Sequence, residues 1–405
     1  MTGPDQPRRS PDLRRHASTL LLPASGAWRV GDPPAAKEFI EVAGGRPFAL
    51  EGGGSLPEVF LAYETWGTLD ASAANAILVC HALTGDAHAS GSSGPGQPTD
   101  GWWNDLVGPG KTLDTDRFFI VCANVLGGCQ GTTGPSSINP ADGRPYGGRF
   151  PVVTIRDIVR TQALLADALH VGRWLSVVGG SMGGMQVLEW AVMFPDRVRS
   201  IAALATAACA SPWQIGWSQA GRLSVVNDPK WNGGDYYDSS DGEGPTDGLM
   251  LARRIAQIHY RSSQSYRERF GRSVVDRLDA FGLWDRFQVE GYLDYHGEKL
   301  ARRFDANTYL ILNKAMDLHD LGRGRGGIGA ALARVRCPSL VVSIDSDILY
   351  TPPEQEELRD HLIAGGSEVT FETLTSVHGH DGFLMEFAQL GPMLDAFLAE
   401  QLKND

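Results

Sequence analysis

Ser181 sits in the stretch VVGGSMGGMQVLEWA (177–191), one hydroxyl among four glycines. Gly179, Ser181 and Gly183 fit G-x-S-x-G, with an apolar strand-like run before and a helical pattern after. In that setting the serine occupies a sharp, strained turn. Side chains two positions away on either side would collide with neighbouring backbone. A serine hydroxyl alone is a weak nucleophile and needs a base oriented by a carboxylate. Around such an elbow the chain order is serine, then an acid after a late strand, then histidine after the last strand. The segment VSIDSDILYTPP offers Asp345 and Asp347, and SVHGHDGFLME offers His378 and His380. Residues two apart point the same way in an extended segment, so periodicity does not separate the members of either pair. Negative charge on the attacked carbonyl requires two backbone N–H donors. One comes from the start of the helix at Met182. The loop CHALTGDAH (80–88), after an early strand, offers Leu83 or Ala82 as the other.

Other patterns compete with this one. His378, His380 and Asp381 resemble half of an H-x-H-x-D metal site, but the spacing to Asp is wrong and no second histidine cluster follows closely, so no metal is expected. Gly110-Lys111-Thr112 ends like a phosphate-binding loop, yet Asp105 stands where that loop requires glycine. The pair Trp102-Trp103 reads as core or pocket wall.

The elements that would position these residues alternate between strand and helix. NAILVCHAL (75–83), RFFIVCAN (117–124), WLSVVGG (174–180), VRSIAALAT (198–206), PSLVVSID (338–345) and EVTFETL (368–374) are short apolar runs, as expected of buried strands. TIRDIVRTQALLADAL (154–169), SMGGMQVLEWAVMF, PPEQEELRDHLI (352–363) and the C-terminal segment read as helices. This implies an α/β fold, a mostly parallel sheet with helices on both faces. FALEGGGSLPEVFLAYETWG reads as an antiparallel hairpin around its glycines. Residues 208–335 lack the alternation and read as a helical lid lying over the sheet, with NDPKWNGGDYYDSSDGEGP (227–245) as a polar surface loop. The domain reading is therefore a flexible arm over 1–40, a core over 41–207 and 336–405, and the lid between.

Composition excludes several partner classes. The 405 residues carry 36 Lys and Arg against 48 Asp and Glu, a net charge of −12, which disfavours nucleic acid and anionic membrane surfaces. No apolar run approaches a membrane span. Arg14-Arg15 before TLLLPASGA is a poor export signal, because the apolar stretch is short and broken by proline. The five cysteines, an odd number with no CxxC, read as reduced thiols of a cytoplasmic protein.

The blocks HALTGDAH, GWWNDLVGPGKTLDTDRFFIVCANVLGGCQGTTGPSS, GGSMGGMQVLEWA, SDILY and GHDGFL, in this order, resemble the homoserine O-acetyltransferase family of α/β-hydrolase-fold enzymes. The resemblance spans about residue 46 to the C-terminal helix. It implies Asp347 as the acid, His380 as the base, and Leu83 and Met182 as the oxyanion donors. It further implies substrate contacts from Arg253 and Tyr260, in LARRIAQIHY, and from Asp381; Arg254, beside Arg253, departs from the family's usual apolar residue. The implied reaction is ping-pong: acetyl-CoA acylates Ser181, and L-homoserine then takes the acetyl group, a step of methionine biosynthesis. Acetyl-CoA is a co-substrate, no cofactor is bound, and a homodimer is expected. Alternatives on the same fold are homoserine or serine O-succinyltransferase, a secondary-metabolite acetyltransferase such as one for deacetylcephalosporin C, or an esterase. A non-catalytic binding module would be expected to lack Ser, His or Asp, and all three are present.

Overall fold

The computed structural model describes residues 21–275, 282–283 and 285–403. Among them, eight strands form one sheet: β1 (Glu38–Glu41), β2 (Phe60–Trp66), β3 (Ala76–Cys80), β4 (Phe119–Ala123), β5 (Ser176–Gly180), β6 (Ile201–Leu204), β7 (Ser339–Ile344) and β8 (Val369–Leu374). Their spatial order is β1-β2-β4-β3-β5-β6-β7-β8. β2 pairs antiparallel with both β1 and β4, and the remaining neighbours are parallel. β3, β5, β6 and β7 are buried along their whole length, which is why they read as unbroken apolar runs. Successive residues feed opposite layers. Leu78 and Val177 join the core that contains Ile158, Leu188 and Leu358, while Val79 and Val178 join a second core with Leu390, Leu394 and Phe397.

Those core residues belong to four helices. α1 (Ile155–Ala168), α2 (Met182–Met193) and α9 (Pro352–Ala364) cover one face, and α10 (Phe387–Lys403) covers the other. α1 begins with a capping box in which the Thr154 hydroxyl accepts from Asp157 N, and the Asp157 carboxylate accepts from Thr154 N. Between β6 and β7 lie α3 (Pro212–Val226), α4 (Thr246–Tyr260), α5 (Ser263–Phe270), α6 (Gln288–Ala301), α7 (Ala306–Asp317) and the short α8 (Ile328–Leu332). This is the mostly parallel sheet that the alternation implied and the α/β-hydrolase architecture that the resemblance implied, with helices inserted after β6.

Three local expectations are corrected. The glycine-rich hairpin is only a stub, Phe48–Ala49 against Ser55–Leu56. The long strand beyond it, β2, takes Glu38–Glu41 as its antiparallel partner, because that edge lets Phe60–Trp66 join the main sheet. The arm boundary drawn at residue 40 thus falls inside β1. Upstream of it, Leu22, Ala24 and Ala27 are buried, and the Ser25 hydroxyl donates to Asp305 at 2.7 Å. Residues 1–20, with Arg14-Arg15, lie outside the described residues. The third correction concerns 227–245, which is not simply a polar surface loop. Tyr236 and Tyr237 are buried and stacked at 4.7 Å, and both hydroxyls donate to Asp305, at 2.7 and 2.9 Å. That carboxylate also caps α7 through Thr308 N, so one buried acid ties together the N-terminal segment, the loop and a lid helix.

Of the cysteines, Cys80, Cys122, Cys129 and Cys337 are buried, Cys209 is half-buried, and none forms a disulfide. Trp103 is fully buried and Trp102 half-buried. No helix among the described residues is long and apolar enough to cross a membrane.

Candidate active site

Ser181 stands between β5 and α2 with φ 59° and ψ −125°, a region costly for any side chain. The surroundings hold it there. Ser181 N donates to Leu204 O at 2.9 Å, and its carbonyl accepts from the Thr206 hydroxyl at 3.0 Å. A Cβ on Gly179 would come 2.7 Å from Cys80 O, and one on Gly183 only 2.2 Å from the same oxygen. Glycine is therefore required because β3 passes directly behind the elbow.

The loop after β8 brings His380 to the serine. His380 Nε2 lies 2.9 Å from Ser181 Oγ, and its Nδ1 lies 2.8 Å from Asp347 Oδ2. The carboxylate at Nδ1 places the proton there and leaves Nε2 free to accept from the serine hydroxyl. The other Asp347 oxygen accepts from Leu349 N and Tyr350 N, at 2.8 and 3.0 Å, so the acid is locked before it meets the imidazole. Ser181, His380 and Asp347 are all buried. The alternative partners have other roles. Asp345 Oδ1 accepts from Ser376 N at 3.0 Å, and the ring of His378 lies 3.1 Å from the Arg261 guanidinium.

Two backbone donors remain available beside the serine. Among the described residues, neither Leu83 N nor Met182 N has an acceptor. The loop carrying Leu83 is held by His81, whose Nε2 accepts from Val125 N at 3.1 Å, and by Arg303, which donates to Thr84 O at 2.8 Å. Ala82 instead accepts from Gly85 N, at 2.9 Å.

Among the lid residues, the structure separates the two adjacent arginines. Arg254 pairs with Asp294 of α6 at 2.8 Å. Arg253 has no acidic partner among the described residues, and its guanidinium lies 5.5 Å from the Tyr260 ring, which is itself 5.8 Å from the His380 ring. Asp381 pairs with Arg261 at 3.1 Å, a partner the sequence reading missed. Missed too were Tyr350, stacked on His380 at 5.0 Å, and His259, whose ring lies tilted against Trp217 at 4.7 Å. Tyr350 lies inside SDILY, and Arg261 and His259 flank Tyr260, but no spacing rule singles them out. Burial, reinforced by His380 and Arg253 nearby, pushes the His259 imidazole down to about 3. Leu83, His259, Tyr260 and Tyr350 help to enclose a cavity of about 20 Å³, which no Lys or Arg lines. A wider cavity, about 620 Å³, opens elsewhere beside Trp28, Phe39 and Phe60 and is lined by none of these residues.

A hydroxyl, an imidazole and a carboxylate in series, with two free N–H groups beside the hydroxyl, can carry out acyl transfer through a covalent acyl-serine.

Comparison with known proteins agrees with this chemistry. The family model of the alpha/beta hydrolase fold matches residues 75–378. Over 385 residues the chain is 51% identical to a homoserine O-acetyltransferase of Thermobifida fusca (strain YX), covering 95% of this chain and 100% of that one. The crystal structure of a homoserine O-acetyltransferase from Bacillus anthracis superposes with a TM-score of 0.82 at 28% identity, covering 89% of this chain and 97% of that one. Esterase E22 superposes almost equally well, with a TM-score of 0.81 at 28% identity over 89% and 99% of the two chains.

Proposed function

The chain belongs to the homoserine O-acetyltransferase family of the α/β-hydrolase fold, and from that premise we propose how its own residues move the acetyl group. The observation that carries the reading is the hydrogen-bonded series Ser181–His380–Asp347 at a strained elbow. Ser181 Oγ attacks the thioester carbonyl of acetyl-CoA as His380 Nε2 takes its proton. The carbon–sulfur bond breaks, and the same proton leaves with the CoA thiol. The homoserine hydroxyl then gives its proton to His380 and attacks the acyl-serine. O-acetylhomoserine departs and Ser181 recovers its proton. Leu83 N and Met182 N steady the oxyanion in both halves.

Acetyl is the acyl group that the family relation supports. The acceptor is a zwitterion, whose charged ends need matching. Arg253, without an acidic partner among the described residues, takes its carboxylate, with Tyr260 alongside. Asp381, already paired with Arg261, takes its ammonium.

The reaction belongs to amino-acid biosynthesis, and we place it in the methionine branch, in the cytoplasm. A homodimer fits the apolar residues that α3 and α4 expose, among them Trp213, Leu223, Leu251 and Ile258. The likeness to esterase E22 favours one competing reading, with water as the acceptor.

One panel separates the readings. Homoserine, serine and water are offered against acetyl-CoA and succinyl-CoA, with CoA release and O-acylated product measured separately and the acyl adduct on Ser181 followed by mass spectrometry. The expected result is a Ser181 acetyl adduct discharged by homoserine. Discharge by water at the same rate overturns the transferase reading.

A further inference from the structure

Helix α6 sorts its polar residues by side. At 100° per residue, Tyr292, His296 and Lys299 share one stripe (i, i+4, i+7), while Glu290, Asp294 and Glu298 form a second stripe on the far side. The acids have partners: Asp294 pairs with Arg254 and Arg286, and Glu298 lies 3.8 Å from Arg302. The other stripe is basic and aromatic and has no such neutralisation. Among the described residues, neither Lys299 nor Arg269 of α5 has an acidic ion-pair partner. The Arg269 guanidinium lies 4.5 Å from the Tyr292 ring, which meets the His296 ring edge-on at 4.4 Å. Tyr295, 60% exposed, stands beside it.

Burial, then the charges of Arg253, Lys299, Arg261 and Arg269, push the His296 imidazole down to about 4. Arg269, which reaches the ring through Tyr292, and Lys299, one helical turn on from His296, thus gather positive charge on one stripe of a chain whose net charge is −12. Asp381 neutralises Arg261, but Arg253, Arg269 and Lys299 have no acidic ion-pair partner among the described residues, and an anionic ligand relieves their mutual repulsion. The cluster also leads to the reacting centre. Arg253 borders Tyr260, whose ring faces His380, and Arg261 holds Asp381.

We infer that Arg269, Tyr292, His296 and Lys299 form the docking site for the nucleotide end of the acyl-CoA donor. Its phosphates lie against the guanidinium and ammonium groups, and its adenine lies against the exposed Tyr295 ring. The inference rests on the acyl-CoA donor proposed above.

The test compares acetyl-CoA with acetyl-pantetheine, the same thioester without the nucleotide. The readout is kcat/KM for thiol release in the wild type, Arg269→Ala, Lys299→Ala, the double variant and Arg269→Lys. Each alanine variant is expected to lower the preference for acetyl-CoA roughly tenfold, mainly through KM, because each removes one charge-assisted contact. Arg269→Lys should recover part of the loss. Added salt should weaken acetyl-CoA use in the wild type and much less in the double variant. An unchanged preference, or an equal fall for both donors, overturns the docking site while leaving acyl transfer intact. Failure of both donors to acylate wild-type Ser181 instead removes the proposed function, and the docking site with it.

Discussion

Asp347 Oδ2 lies 2.8 Å from His380 Nδ1, while Asp345, two residues upstream on the same segment, turns to the backbone of Ser376. The two acids share a strand end and differ completely in what they hold. One orients the imidazole and the other orders the loop that delivers it.

Asp347→Asn should therefore lower turnover by about 10⁴-fold, because the wrong imidazole tautomer then faces Ser181. Asp345→Asn should cost far less, since its amide oxygen still accepts from Ser376 N. Steady-state rates of the two variants, with folding checked by circular dichroism, decide the matter. A larger loss at Asp345 would reverse the assignment.

Gly183→Ala should damage both folding and chemistry, because its Cβ would sit 2.2 Å from Cys80 O. Overpacking of this kind costs about 1–3 kcal/mol and would displace the N–H groups at the start of α2. Gly216→Ala on α3 is the contrast. Nothing lies within 4 Å of the new methyl, and alanine favours a helix interior over glycine by about 1 kcal/mol. Thermal unfolding should move in opposite directions for the two variants.

Arg253→Ala should slow transfer to homoserine while leaving acetylation of Ser181 nearly intact. Serine, one methylene shorter, should be poorer than homoserine by about 10–200-fold, because its hydroxyl falls short of His380 when the charged ends are held. The two half-reactions can be followed separately through CoA release and product formation. Equal slowing of both, or of neither, removes Arg253 as the acceptor clamp.

Stability should fall as the solution is acidified from about pH 6.5 toward pH 4. Burial, the leading cause in each case, holds His259 down at about 3 and His296 and His319 at about 4. In this window the unfolded chain takes up protons that the native chain refuses, so each group stabilises the fold above the window and loses that effect through it. The urea midpoint should be lower at about pH 5 than at about pH 7.5, and His319→Gln should flatten the difference. A midpoint that rises on acidification would contradict the buried, neutral state of these rings.

The sequence by itself determined the strand–helix alternation and the elbow. Both are local: a strand buried on two faces must be apolar throughout, and an elbow crowded by Cys80 O must place glycine at 179 and 183. Chain order also determined that an acid and a histidine would follow the serine. Which member of each pair served was readable only through family resemblance, because a two-residue period treats Asp345 and Asp347 alike. Tertiary structure alone decided the long-range matches. Glu38–Glu41 found β2 across an intervening stub, Tyr236 and Tyr237 were buried by a carboxylate nearly seventy residues away, and Asp381 acquired Arg261 from the lid. The physical reason is the same each time. A charge, a hydroxyl or a strand edge advertises its need in sequence, but the partner that meets the need is chosen by proximity after folding.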